Sequence, residues 1–365
     1  MYNWKGRDAL KNIKPYSPGK GIDEVKAELG LEEVYKMASN ENPLGPAKTA
    51  LDAISNALQD VHIYPDGSSG KLKKAIGEKY GVNVDEIIVG NGSDEIIKLI
   101  AESFLNEDSN LIMGDPSFSE YDYAGNLMGA EVIKVPLIDQ AFDLEGILEA
   151  ITINTKIIAL CNPNNPTGTV IDKENLLSFI DRVPNNIIVI LDEAYGEYAG
   201  VDFYSGINLI KARKGNILVL RTFSKIFGLA ALRVGYGVAN KNLIEWILRA
   251  KEPFNVNYLA QVGAEAAIND NKHIEDSLEL NERGKKYLSE QFVKRGFLVT
   301  PSGANFLWVD TRLDSQLLFQ ELLKKGYVIR PGYVFGADTF IRVTIDKAEV
   351  NLGFIMALDE IIKEI

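Results

Sequence analysis

Residue types able to do chemistry gather in five polar clusters, each directly behind a short apolar run. They are Gly90-Asn-Gly-Ser-Asp94, Asp115-Pro-Ser-Phe118, Asn162-Pro-Asn-Asn-Pro-Thr-Gly168, Asp192-Glu-Ala-Tyr195 and Ser224-Lys225. Lys225 has the most specific chemistry. It lies between Asn216-Ile-Leu-Val-Leu220 and Ile226-Phe-Gly-Leu-Ala-Ala-Leu232, and such apolar company favours the neutral amine, a nucleophile able to hold a carbonyl compound as a Schiff base. Gly90-Asn-Gly-Ser93 opens a predicted helix, so its backbone N–H groups and the Ser93 hydroxyl could cradle a phosphate. Ser224 and the planar fork of Arg233 could close on the same anion. Glu95 follows Asp94, so the loop is not Gly-x-Gly-x-x-Gly and a nicotinamide dinucleotide loses support.

Asp192 directly follows the run Ile187–Leu191 and would be costly to bury without a cation; a protonated heterocyclic nitrogen would satisfy it. Tyr195 could donate to an oxygen on the same ring, and Asn165 is held in a turn rich in Pro and Asn. Phe118 could stack on the ring face. Each residue alone has an ordinary explanation: a solvated lysine, a helix start, a capping aspartate, a turn asparagine, a core phenylalanine. Together they describe a site for a planar, phosphorylated, cationic heteroaromatic aldehyde, and pyridoxal 5′-phosphate has all these features.

Positioning such residues requires strands that end at one edge. Short apolar runs, several of them continuous Ile/Val/Leu, predict strands at Glu86–Val89, Asn110–Met113, Glu131–Val135, Ile157–Leu160, Ile187–Leu191, Ile217–Leu220 and Tyr236–Ala239, with helical patterns between many of them, as at Asp94–Leu105 and Lys173–Asp181. The alternation predicts a doubly wound α/β layer with a mainly parallel sheet, whose carboxyl edge would collect all five clusters. After about residue 250 a long charged helical stretch, Asp270–Lys294, precedes shorter strand-like runs at Phe297–Thr300, Asn305–Val309, Tyr327–Arg330 and Phe340–Thr344. The expected division is a large cofactor-binding domain over 46–250 and a smaller α/β domain, closing on substrate, from 251–365 with the N-terminal arm 1–45.

Composition removes several alternatives. The 365 residues, 46% apolar and 25% charged, suit an ordinary globular protein, and a formal charge of −12 with well-mixed signs argues against broad nucleic-acid or anionic-membrane binding. Cys161, the single cysteine, excludes an internal disulfide and a thiolate zinc site, and its strand-like setting suits a buried small hydrophobe. His62 and His273 belong to no ligand-spaced set, so no metal is expected. The N-terminus has no signal-peptide core, and no apolar run approaches the roughly 20 residues that span a bilayer. A cytoplasmic enzyme is expected.

At these same residues the sequence resembles the fold-type I pyridoxal-phosphate aminotransferases, and within them the histidinol-phosphate aminotransferase group. The resemblance covers almost the whole chain, through Pro15-Tyr16-Ser-Pro-Gly19, Ser39-Asn-Glu-Asn-Pro-Leu-Gly45, Tyr64-Pro-Asp-Gly67, Cys161–Gly168, Asp192–Tyr195, Thr222–Lys225 and Leu232–Tyr236. It implies that Lys225 carries the cofactor and then acts as base in a 1,3-proton shift. It implies Asp192 at the pyridinium nitrogen, Tyr195 and Asn165 at the ring oxygen, and Phe118 stacked on the ring. Ser93, the Asp94 backbone, Ser224 and Arg233 would hold the cofactor phosphate, with Tyr64 reaching it from the neighbouring subunit of a homodimer. Arg342 would receive the substrate carboxylate and Arg330 the substrate's own phosphate, with Tyr16 and Asn40 lining that side. Two positions depart from the group: Asp346 stands where a glycine commonly follows the strand, beside the Arg342 pocket wall, and Lys251 replaces a common arginine. The implied reaction exchanges nitrogen between histidinol phosphate and 2-oxoglutarate. Alternatives are an aromatic amino-acid aminotransferase, a threonine-phosphate decarboxylase, and a non-catalytic pyridoxal-phosphate-sensing module.

Overall fold

The computed structural model describes residues 4–11, 13, 22–212 and 214–364. The motif around Tyr16 lies outside the described residues. A short arm strand, β1 (Tyr35–Lys36), precedes the main layer, whose strands are β2 (Ile87–Gly90), β3 (Asn110–Asp115), β4 (Glu131–Pro136), β5 (Thr155–Cys161), β6 (Ile188–Asp192), β7 (Ile217–Thr222) and β8 (Gly235–Ala239). Among the described residues they form one seven-stranded sheet in the order β2-β8-β7-β6-β5-β3-β4. All run the same way except β8, which is antiparallel to β2 and β7.

The unbroken apolar runs are explained by cover on both faces. Ile112, Ile158, Leu160, Val189, Leu191 and Val219 enter one core. Their immediate neighbours Leu111, Met113, Ile157, Ala159, Ile190 and Leu218 enter the other. The two-residue side-chain period of a strand makes this unavoidable once helices pack on both sides. Each such Ile or Leu, fully buried, contributes about 1.5–3 kcal/mol. Chain order reverses between β3 and β5, and the clusters after those two strands flank the reversal, where open α/β sheets bind ligands.

The second layer contains β9 (Leu298–Val299), β10 (Phe306–Asp310), β11 (Tyr327–Val328), β12 (Arg330–Pro331) and β13 (Phe340–Thr344). Four of these make an antiparallel sheet in the order β12-β13-β10-β9, while β11 pairs in parallel with the arm strand β1. Helices Asn271–Lys294, Ser315–Lys324 and Ala348–Glu364 bury Leu288, Phe292, Leu318, Leu322, Phe354 and Leu358 against Leu307, Val309, Ile341 and Val343. Residues 251–268, expected in the smaller domain, pack elsewhere. The helix Tyr258–Ala267 lies on the helices Lys48–Ala57 and Gly70–Tyr80, and Val256, Ala260, Ala264 and Ile268 belong to the large sheet's core.

Candidate active site

A cavity of about 680 Å³ opens at the carboxyl edge of the large sheet, with part of its wall supplied by the small one. It brings together Ser93, Asp94, Phe118, Asn165, Asp192, Tyr195, Ser224, Lys225 and Arg233, and adds Asn40, Arg330 and Arg342. Tyr64 is not in its wall: it is 81% exposed and its ring stacks on Phe254 at 5.0 Å.

Asp192 is the last residue of β6 and is buried. Two neutral donors hold its carboxylate: the Tyr121 hydroxyl donates to Oδ2 at 2.9 Å and the Ala194 N–H to Oδ1 at 3.1 Å. Among the described residues no lysine or arginine pairs with it, and burial pushes its pKa up to about 6. Such a carboxylate is poised for a cation. Cys161, opposite Asp192 in the β5–β6 register, is buried, and burial pushes its thiol up, away from nucleophilic use.

Lys225 follows β7 and is half-buried; its Nζ donates to the Ser39 carbonyl at 3.0 Å and sits 5.5 Å from the Tyr195 ring centroid. The Tyr195 hydroxyl accepts from Asn40 Nδ2 at 2.9 Å, which leaves its own proton to donate. Asn165 Oδ1 accepts from Arg342 Nη1, so its amide N–H groups remain donors. Asn40 has a left-handed backbone (φ 57°), a conformation asparagine tolerates, and is pinned by the Thr344 hydroxyl and by Asn305 Nδ2. Phe118 lies on the cavity wall, edge-on to Tyr121 at 6.3 Å.

At the other end, Gly92 (φ 85°) caps the helix Ser93–Phe104, which starts beside Arg233. Arg233 Nη2 donates to Asp94 Oδ2 at 3.0 Å and Nη1 to Ser224 Oγ at 3.5 Å. A Cβ on Gly92 would come within 2.8 Å of Arg233 Nη2, so only glycine lets the guanidinium approach the helix start. Glu95, which broke the dinucleotide motif, clamps this loop by accepting from the Asn91 N–H and from Asn255 Nδ2, both at 2.6 Å. Lys251 extends the clamp, donating to Asn255 Oδ1 at 3.0 Å and to the Gly67 carbonyl at 3.2 Å. Helix start, hydroxyl and arginine make a donor set that fits a phosphate monoester.

Arg342 and Arg330 are direct partners in the β12–β13 register, with the Phe335 ring 5.8 and 5.9 Å from their guanidinium carbons. Like charges directly opposite destabilise a sheet. Neither forms an ion pair with a carboxylate among the described residues, and Arg342 Nε is buried without a partner. Burial, with the Arg330 charge adding to it, lowers the Arg342 pKa to about 10. This pair fits an anionic substrate. Asp346 is not in the cavity wall; its backbone is tied to the Asn351 side chain at the start of the closing helix.

Three residues escaped the sequence reading. Tyr121 looks like one more apolar residue on a helix, Lys36 sits in a two-residue strand, and Glu120, whose pKa burial raises, lies on the cavity wall near Asp94 and Arg233. A tyrosine three residues after Phe118, one helical turn on, was the available signal for Tyr121.

A doubly wound sheet with a lysine, a buried aspartate and a phosphate cradle at its carboxyl edge defines the layout of a fold-type I pyridoxal-phosphate aminotransferase. The family described as "Aminotransferase class I and II" matches residues 32–353. The histidinol-phosphate aminotransferase of Moorella thermoacetica is 47% identical over 98% of this chain and 93% of its own, and that of Halalkalibacterium halodurans is 45% identical over 99% and 98%. The crystal structure of histidinol-phosphate aminotransferase from Sinorhizobium meliloti in complex with pyridoxal-5′-phosphate shares the fold, with a TM-score of 0.90, 24% identity and coverage of 99% of this chain and 98% of that one. The chain belongs to the class I and II aminotransferases and, within them, to the histidinol-phosphate aminotransferase family.

Proposed function

We propose that this enzyme uses pyridoxal 5′-phosphate to interconvert histidinol phosphate and 2-oxoglutarate with imidazole-acetol phosphate and glutamate, in histidine biosynthesis. The observation that carries the substrate assignment is the pairing of Arg330 with Arg342, two cross-strand cations without a carboxylate partner in the wall of the cavity that holds Lys225. Ser93, the Asp94 backbone, Ser224 and Arg233 bind the cofactor phosphate; Asp192 holds the ring nitrogen's proton; Tyr195 and Asn165 donate to the ring oxygen; Phe118 covers the ring.

Bound pyridoxal phosphate supplies an electron sink for the pair released at the substrate Cα. Lys225, whose Nζ lies in the cavity wall near Ser39 and Tyr195, would hold the cofactor through its amine. When not engaged in holding the cofactor, the same amine would serve as the base that moves the substrate Cα proton. Asp192, ionised at neutral pH above its value of about 6, would hold a proton on the ring nitrogen. Arg342 receives the carboxylate of glutamate, Arg330 the phosphate of histidinol phosphate, and Asn40, with Tyr16, lines the substrate side.

The protein works as a cytoplasmic homodimer in which Tyr64 reaches the partner's cofactor phosphate; its 81% exposure supports this. No helix of the described residues is long and apolar enough to cross a membrane. The large sheet forms the cofactor domain and the second layer, with the arm, closes on substrate.

Regeneration of the amine-loaded enzyme by imidazole-acetol phosphate, phenylpyruvate and 2-oxoglutarate, followed in single turnovers, tests the reading. Arg330→Ala is expected to lose the phosphorylated ketone selectively; equal losses with all three acceptors would refute a phosphate-specific role.

A further inference from the structure

A third cation belongs to the anion end of the cavity. Lys36 is on the cavity wall with Val328 and Arg330. It is the register partner of Val328 in the parallel β1–β11 pair, so both side chains leave the same face about 5 Å apart, and Arg330 is two residues beyond Val328. The arm strand is fixed on both sides: the Met37 N–H donates to the Val328 carbonyl at 2.8 Å and the Thr344 N–H to the Met37 carbonyl at 2.9 Å. Arg342 Nη2 donates to the carbonyl of Ala38, two residues from Lys36. Lys36, Arg330 and Arg342 are thus carried by one braced wall.

The charge count singles out Lys36. A phosphate monoester brings nearly two negative charges at neutral pH, and Arg330 alone balances one. Among the described residues the one anion paired with the three cations is Glu41, whose Oε1 accepts from Lys36 Nζ at 2.9 Å. Both partners are partly exposed, at 33% and 44%, so the pair is weak and readily exchanged. The lysine stem is long enough to swing, whereas the buried Arg342 is held by Asn165 and Ala38.

We propose that Lys36 is a specificity residue for the phosphorylated substrate. Glu41 occupies its ammonium group until the substrate phosphate enters and takes it over beside Arg330. This rests on the phosphate reading of the cavity. A monoanionic carboxylate, satisfied by one arginine, gains little from the exchange, so Lys36 separates the two amino donors that share one cavity.

The test measures kcat and KM of the cofactor-loaded enzyme for histidinol phosphate, dephosphorylated histidinol and glutamate, with Lys36→Gln, Lys36→Arg and Glu41→Gln. Lys36→Gln is expected to raise KM for histidinol phosphate about tenfold more than KM for glutamate, a ratio typical of one lost charge-assisted contact. Lys36→Arg restores the ratio, and Glu41→Gln moves it the opposite way because the lysine is already free. Equal changes in all donors for Lys36→Gln and Glu41→Gln would mean that the ion pair only locks the arm, and would overturn the assignment. A wild-type enzyme that does not distinguish histidinol phosphate from histidinol overturns the phosphate reading itself; a wild-type preference that survives Lys36→Gln overturns the role of Lys36 alone.

Discussion

Asp192 shows how a candidate functional residue is held at the cost of stability. Its pKa rises from 3.8 to about 6 on folding because the carboxylate loses water and gains only two neutral donors. Below pH 4 the folded chain is indifferent to it. As pH rises through 6, the unfolded chain is already ionised while the folded one is forced to follow, so stability falls, by an amount on the order of 3 kcal/mol. Asp192→Asn should therefore gain melting temperature relative to wild type in the cofactor-free protein as pH rises from 4 to 7, while abolishing most turnover. A variant-minus-wild-type difference in melting temperature that stays constant over that interval would contradict the burial argument, and near-normal turnover of the variant would remove Asp192 from the ring nitrogen. Tyr121 would act through Asp192: its hydroxyl donates to Oδ2 and lowers the basicity of the carboxylate, which in the proposed reading leaves the proton on the ring. Tyr121→Phe is expected to change the pH dependence of the bound cofactor's visible absorbance and to reduce kcat more than it alters KM for either donor. An unchanged spectral titration would reduce Tyr121 to a packing residue. Lys225, Asp192 and Asn165 were legible in sequence because each ends a strand or fills a turn that has no need of its chemistry. Tyr121 was not, since a buried aromatic on a helix has the same pattern whether or not its hydroxyl bonds a carboxylate.

Secondary-structure elements position these residues through bare backbone as much as through side chains. Gly235 begins β8, the one reversed strand, and a Cβ there would lie 2.6 Å from the Ser93 nitrogen, 2.9 Å from the Gly92 carbonyl carbon and 3.0 Å from the Arg221 carbonyl oxygen. All three neighbours are main-chain atoms, so none can rotate away. Gly235→Ala must displace the helix start that would hold the cofactor phosphate, at about 1–3 kcal/mol of overpacking. The expected result is a raised cofactor dissociation constant with Arg330-dependent substrate selection intact, measured by absorbance titration and by the ratio of KM values. Unchanged cofactor affinity would show that the loop yields freely. The strands of the large sheet could be read to within two residues because the central runs, covered on both faces, leave few polar positions. The packing of Tyr258–Ala267 could not. Its small residues Ala260, Gly263 and Ala264 signal close helix contact without saying against what, and the partners, Lys48–Ala57 and Gly70–Tyr80, are about 200 residues away in the chain.

At the scale of the whole molecule, the two layers meet at the cavity, and the cavity is incomplete if Tyr64 belongs to it. The region around Tyr64 exposes several large apolar residues. Leu51 and Leu58, seven residues apart and so on one helical face, continue into Val61, Ile63 and the stacked Tyr64–Phe254 pair, all exposed. Exposed apolar residues gathered along one stretch of chain suit a protein interface. A second copy of this chain related by a twofold axis would cover these residues and direct Tyr64 at the opposite cofactor phosphate, a role suited to an exposed tyrosine that opens the motif Tyr64–Gly67, whose Asp66 accepts from the Ser68 and Gly70 N–H groups. Ile63→Asp is expected to shift the protein from dimer to monomer in sedimentation velocity at micromolar concentration and to weaken cofactor retention with it. Tyr64→Ala, by contrast, should remain dimeric while losing about tenfold in cofactor affinity, the value of one charge-assisted contact. If the wild-type chain sediments as a monomer, or if Tyr64→Ala binds cofactor as tightly as wild type, Tyr64 has no place in the site and the apolar strip needs a different occupant.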